Sequence, residues 1–275
     1  MRITALVENI AARPECESAH GLSLWVETDG RKILMDAGPS DVLLRNAKAL
    51  GVDVSKADML VLSHGHYDHA GGVLPFASLA PAAPIYLRRT ATQDYFSGSN
   101  ADGSLHYIGI DPAIQQLPQL CRVDGTLEIG KGLFLFGDIA GRKAWPESNR
   151  KLSRKDGEAL VQDSFDHEQC LVIREEGLSV LLSGCAHNGI INILDRYFEL
   201  WGAYPDVVVS GFHMKKSLPH TPDEEETIRA TARALCTCPC RFYTCHCTGL
   251  PAYELMKDIM GNKLHYLHCG DVLEL

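Results

Sequence analysis

Four side chains able to bind a metal stand within one short run, His64-Gly-His-Tyr-Asp-His69. Neutral imidazole nitrogens and carboxylates are ligands that suit Zn²⁺, Mn²⁺ or Fe. The run follows the apolar stretch Met59-Leu-Val-Leu62 and precedes Gly71-Gly72, so it reads as a loop at the end of a buried strand. His64, His66, Asp68 and His69 cannot all turn to one ion from so short a run without strain. They can serve two, with His64 and His66 on one and Asp68 and His69 on the other. Two ions about 3.5–4 Å apart activate a bridging water and neutralise an oxyanion. A polar loop that merely satisfies its own hydrogen bonds accounts for a single histidine, but not for four ligating side chains at this spacing.

Further histidines end other apolar runs, at His187, His213 and His246, each followed by helical sequence. Each is a candidate further ligand, and His213 is also a candidate catalytic group beside Asp68. Cys185, two residues before His187, is either a soft ligand or a small buried residue. His167 is an alternative ligand, and Glu168 could approach from the same segment. Lys215 and Lys216 follow His213 and could hold a phosphate, or be a solvated pair. Cys236-x-Cys238-x-Cys240 and Cys245-x-Cys247 invite a structural zinc, but paired zinc cysteines prefer at least two intervening residues, so reduced thiols are expected. Cys245 and Cys247 flank His246 and should face away from it.

The elements that position these groups are legible in part. Asp29-Gly30 between Leu22–Val26 and Lys32–Met35 marks a hairpin. A helix is expected from Ser40 to Gly51, another after Gly189 with Ile190, Ile193, Leu194 and Tyr197 inward, and another opened by the capping box Thr221-Pro-Asp-Glu224. A last helix is expected to run to Met260 with Gly261 as its cap. From about 88 to 162 only Leu133–Phe136 reads as a strand, and the stretch is expected to be a lid or a surface insertion on one domain spanning 1–275. Trp145 and Tyr107 could offer a stacking surface or lie in the core. Both halves open with hairpins and close on strand, loop and helix, which fits four layers: two sheets inside, helices outside.

Hydrophobic residues make up 45% and charged residues 22% of the 275, so a packed core is expected. The formal net charge of −9 argues against a general nucleic-acid or membrane-surface binder. No stretch approaches the roughly 18 apolar residues of a membrane span. The N-terminal residues do not read as a signal peptide, and the closely spaced cysteines suit a reducing compartment, so a cytoplasmic location is expected.

The histidine–aspartate run, with Asp36 in Leu-Met-Asp-Ala-Gly, resembles the metallo-β-lactamase superfamily, and the resemblance spans essentially the whole chain. It implies an αββα sandwich with metals at the sheets' shared edge, and makes Asp36 a residue that orients a ligating imidazole. The superfamily adds one histidine to each ion, which the resemblance assigns to His187 on the first and to His246 on the second with His213 its competitor, and it places a bridging aspartate where this chain has Cys185. Redox di-iron members place glutamate at the position of His66, so an all-histidine pair implies hydrolytic or transfer chemistry. Ser-Gly-Cys185-Ala-His187-Asn-Gly, Gly-Phe-His213-Met and Cys-His246-Cys-Thr-Gly resemble the branch of β-ribofuranosylaminobenzene 5′-phosphate synthase-like, dihydropterin-related proteins.

The expected activity is therefore a hydrolase or phosphoribosyl-type transferase for a small phosphorylated or heterocyclic, pterin- or purine-like substrate. Two divalent ions, zinc before manganese, iron or magnesium, would supply a metal-bound hydroxide. A non-catalytic metal, ligand or redox sensor on the same fold is the alternative. The sequence leaves the oligomeric state open.

Overall fold

The computed structural model describes residues 1–98, 104–214 and 218–275. Two seven-stranded sheets lie face to face. In the first, the order is Val272–Glu274, Arg2–Val7, Ser23–Thr28, Arg31–Met35, Met59–Val61, Ile85–Arg88 and Leu120–Val123. In the second it is Leu264–Tyr266, Arg241–Thr244, Val207–Ser210, Leu178–Leu182, Cys170–Glu175, Leu133–Phe136 and Leu127–Gly130.

Strand alternation divides the core into three. Ile33 and Met35 of the first sheet meet Leu171, Ile173, Val180 and Leu182 of the second in the apolar layer between the sheets. Their neighbours face outward. Leu34 and Leu60 pack under the helices Val42–Ala49 and Val73–Leu79. Val172, Leu181 and Val208 pack under Ile190–Trp201, Pro222–Thr237 and Leu250–Met260. Because side chains alternate faces, continuous apolar runs such as Val207-Val-Val209 are what a doubly covered strand requires. The result is the expected four-layer αββα sandwich.

The caps match the sequence signals. The Thr221 hydroxyl accepts from the Glu224 N–H at 3.3 Å, and the Glu224 carboxylate accepts from the Thr221 N–H at 2.9 Å. Asp29 and Gly30 turn the first hairpin at φ 44° and 72°. Gly261 ends the last helix at φ 53°.

The stretch 88–162 divides into parts that the sequence did not separate. Leu120–Val123, Leu127–Gly130 and Leu133–Phe136 belong to the two main sheets, while Tyr95–Ser97, His106–Tyr107, Leu152–Asp156 and Ala159–Gln162 form a third, four-stranded sheet. Leu152–Asp156 carries Arg154, Lys155 and Asp156 where an apolar run would signal a strand, and His106–Tyr107 is only two residues long, so periodicity missed them.

In each main sheet several strands run parallel: Arg31–Met35 to Leu120–Val123 in the first, Leu178–Leu182 to Leu264–Tyr266 in the second. Open α/β sheets collect reactive groups beyond the carboxyl ends of parallel strands. Asp36, His64, Cys185, His213 and His246 all follow such ends.

Candidate metal centre

The loops beyond those strand ends converge on two groups of ligating atoms. His64 Nε2 lies 3.3 Å from His187 Nε2. His69 Nε2 lies 3.3 Å from His246 Nε2, which is also 3.3 Å from Asp68 Oδ2. His66 is buried beside the first pair, its ring 4.6 Å from that of His64 and 4.8 Å from that of His187, and its Nε2 has no hydrogen-bond partner. Cys185 groups with both pairs, its ligating atom within 4.8 Å of those of His64 and His187 and of those of His69 and His246.

Every histidine of the two pairs has its Nδ1 tied back into the protein. Asp36 Oδ2 accepts from His69 Nδ1 at 2.7 Å and from the Ser63 hydroxyl at 2.7 Å. That hydroxyl, having given its proton to Asp36, accepts from His64 Nδ1 at 2.8 Å. One buried carboxylate therefore fixes a ring in each pair.

The other two rings are held by matching clamps from opposite halves of the chain. Glu168 accepts the His187 backbone N–H at 2.6 Å, while Asn149 donates to the His187 carbonyl at 2.7 Å and accepts from its Nδ1 at 3.1 Å. Glu8 accepts the His246 backbone N–H at 2.6 Å, while Asn9 donates to the His246 carbonyl at 3.2 Å and accepts from its Nδ1 at 2.9 Å. Such partners fix the tautomer and orientation of ligating rings.

These clamps make the site fit a cation. With Nδ1 protonated, His64 and His187 point bare Nε2 lone pairs at each other across 3.3 Å. On a tetrahedral zinc with bonds of 2.0–2.1 Å, two nitrogens sit about 3.3 Å apart. Burial, reinforced by the surrounding imidazoles, holds His64 and His187 well below the ordinary histidine value, and burial with His167 brings His66 to about 3. Neutral rings are what a metal requires. His69 differs: burial works against its charge, but Asp36 and Asp68 outweigh it and raise it to about 9. Asp68 stays ionised despite burial because His69 and His246 hold its carboxyl well below the usual range.

Local backbone geometry is spent on this convergence. Asp36, Ala186, His213 and His246 adopt φ of 60°, 52°, 51° and 48°. Non-glycine residues in that region cost on the order of 1–3 kcal/mol each, and such strain concentrates at functional sites.

Several sequence expectations change. Both ring nitrogens of His167 have protein partners: Nδ1 accepts from the Gly65 N–H at 2.9 Å and Nε2 donates to Asp163 at 3.1 Å, which braces the ligand loop. His213 does not complete the second group, where His246 stands; its ring lies 4.1 Å from that of His187, with Nδ1 buried and unpartnered. Cys247 does not face away, because His246–Thr248 forms a helical turn that brings its sulfur to Cys185 and His213. Cys245 does face the inter-sheet core, and Cys238 and Cys240 lie under the helices. All ten cysteines are free. Trp145 packs on Phe165, and Tyr107 packs on Phe96 and donates to the Ile110 carbonyl. Lys215 and Lys216 lie outside the described residues.

A cavity of about 310 Å³ opens above the ligands. Its floor is His66, Asp68, Cys185, His187 and His246, and its walls include Tyr67, Ser97, His106, Ile108, Ser148, Leu152 and His213. His20 stands at its edge, 3.5 Å from Asp68 Oδ2. Among the described residues no helix is long and apolar enough to cross a membrane.

Two face-to-face sheets between helix layers, with imidazoles, a carboxylate and a thiol gathered at their shared edge, define a metal-dependent hydrolase fold. Residues 19–134 match the family model of the metallo-beta-lactamase superfamily. The chain is 32% identical to Tm1679, a metal-dependent hydrolase of the beta-lactamase superfamily, whose crystal structure superposes over all of this chain and 99% of that one with a TM-score of 0.84. This protein belongs to the metallo-β-lactamase superfamily. Two Methanocaldococcus jannaschii proteins are also similar. The protein MJ0448 is 26% identical over 98% of this chain and 99% of its own length. The 7,8-dihydropterin-6-methyl-4-(beta-D-ribofuranosyl)-aminobenzene-5′-phosphate synthase is 25% identical over 94% of this chain and 90% of its own.

Proposed function

We propose that this protein is a hydrolase of a small phosphorylated substrate bearing a heterocyclic ring, working with two divalent cations, zinc by preference. The observation that carries the reading is the pair of clamped ligand groups meeting at Cys185 beneath a cavity of about 310 Å³. His64, His66 and His187 would hold one cation, and Asp68, His69 and His246 the other. Such cations, when bound, lower the pKa of a water to about 7 and withdraw charge from a substrate oxygen.

The chain's own groups do the rest. Asp68, kept ionised, accepts a hydrogen bond from the attacking water and orients it. His213, half-buried on the wall with its Nδ1 unpartnered, is placed to donate a proton to the departing group. Tyr67, Ile108 and Leu152 give a ring an apolar face, while Ser97, His106 and Ser148 supply polar partners for a phosphate or sugar. Mixed walls of this kind favour an amphipathic small molecule. A phosphoribosyl-type transfer on the same site is the second reading, favoured by the similarity to the dihydropterin-ribofuranosylaminobenzene phosphate synthase.

Turnover of phosphomonoesters, phosphodiesters and pterin- or purine-bearing ribosyl phosphates by the zinc-loaded protein tests the proposal. The doubly substituted His64→Ala, His66→Ala protein should lose metal and turnover together. Turnover surviving without bound metal would refute it.

A further inference from the structure

We infer that the Cys185 thiolate is a ligand shared by both cations, which makes this a sulfur-bridged centre selective for borderline-soft ions. The inference rests on the two-cation reading above and adds the identity of the group between them. Its ligating atom groups with the His64/His187 pair and, separately, with the His69/His246 pair. Its sulfur is 3.2 Å from His69 Nε2. With Zn–S near 2.3 Å and Zn–N near 2.05 Å, a tetrahedral ion holds sulfur and nitrogen about 3.5 Å apart. The cysteine is buried yet contributes to the cavity floor, so the sulfur faces the ligands and not the apolar layers.

The turn that carries it is shaped for this approach. A Cβ on Gly184 would lie 2.1 Å from Ser63 Oγ and 3.2 Å from Asp36 Oδ2, so only glycine lets the segment press against the relay that orients His64 and His69. Ala186, on the other side, holds φ at 52°. The backbone is thus constrained on both sides of Cys185, which a space-filling residue would not need. On binding, the thiol gives its proton to solvent, two metal–sulfur bonds form, and nothing is oxidised or reduced. Thiolate ligation favours zinc, iron or cobalt over magnesium or calcium.

The test is cobalt(II) reconstitution of the full chain, with absorption and electron paramagnetic resonance spectra and metal counts for wild type, Cys185→Asp and Cys247→Ser. Wild type should take up about two cobalt ions, show a sulfur-to-cobalt charge-transfer band in the near ultraviolet, and lose resonance intensity because the spins couple. Cys185→Asp, which keeps an anionic bridge, should bind the same number of ions without the band. Cys247→Ser, whose sulfur groups with Cys185 and His213, is the control for the neighbouring thiol and should keep the band. Full cobalt loading without the band, or a band that survives Cys185→Asp, would overturn the shared thiolate and leave the two-cation reading standing. No bound cobalt, or a single uncoupled ion, would overturn the two-cation reading itself.

Discussion

Replacing Asp36 with asparagine should weaken both cation sites at once, although Asp36 is placed as a ligand of neither. Its Oδ1 accepts the Ser63 N–H at 2.7 Å, and its Oδ2 accepts both the Ser63 hydroxyl and His69 Nδ1 at 2.7 Å. Asparagine keeps the shape but has one acceptor oxygen, and its NH₂ must face donors on one side. His69 then loses the partner that fixes its ring, and the Ser63 hydroxyl loses the acceptor that turns it toward His64. Removing such a supporting partner typically weakens metal binding 10–100-fold, about 1.4–2.8 kcal/mol per site. Competition against a chromophoric chelator, resolved into two binding steps, measures both. Asn149→Ala provides the contrast, because the Asn149 side-chain amide clamps His187. The reasoning fails if Asp36→Asn leaves both steps unchanged, or if it weakens a single step as Asn149→Ala does.

Other consequences can be checked on the same protein. Asn9→Ala should weaken only the step that Asn149→Ala leaves intact, since Asn9 clamps His246 and otherwise accepts the Gly21 N–H; calorimetric titration separates the two. Stability of the metal-free protein should fall below pH about 6.5, the unfolded histidine value. His64, His66 and His187 sit below that value when folded, so acid protonates the unfolded chain first. With His66 near 3, that one ring costs about 2 kcal/mol by pH 5. His69, raised to about 9, contributes in the opposite sense: its share is full below about 6.5 and lost as pH rises through 9. Thermal melts of stripped protein should therefore peak near neutrality, and a melting temperature flat from pH 7 to 5 would contradict this. Gly184→Ala should cost about 1–3 kcal/mol in denaturant unfolding and weaken the His64 side, because its new Cβ meets Ser63; an unchanged midpoint would count against it. His167→Gln should keep the metal count, since both nitrogens of His167 serve Gly65 and Asp163.

The sandwich was legible because its strands are short, apolar and bounded by turn residues, and because ligand-bearing loops follow them. The His64–His69 run was legible because four ligating side chains at strand-end spacing suit little else. The supporting residues were harder to see. Glu8 and Asn9 stand directly after the buried strand Arg2–Val7, where a charged and an amide residue are a signal, but nothing local says that they clamp a histidine 237 residues away. Asn149 sits in a stretch without periodicity, and its role depends on a short helical turn that brings it to His187. Cys247 was misjudged because strand alternation was carried one residue too far, into a turn where it no longer holds. The third sheet was missed because its strands are short, only Tyr95–Ser97 among them is mostly buried, and they pair with one another and not with the main sheets.

Anomalous diffraction from zinc-loaded crystals, collected on both sides of the zinc absorption edge, tests the central claim most directly. Two peaks about 3.5–4 Å apart, one among His64, His66 and His187 and one among Asp68, His69 and His246, are the result expected. A single peak, or a second peak held by His213 and Cys247, would contradict it.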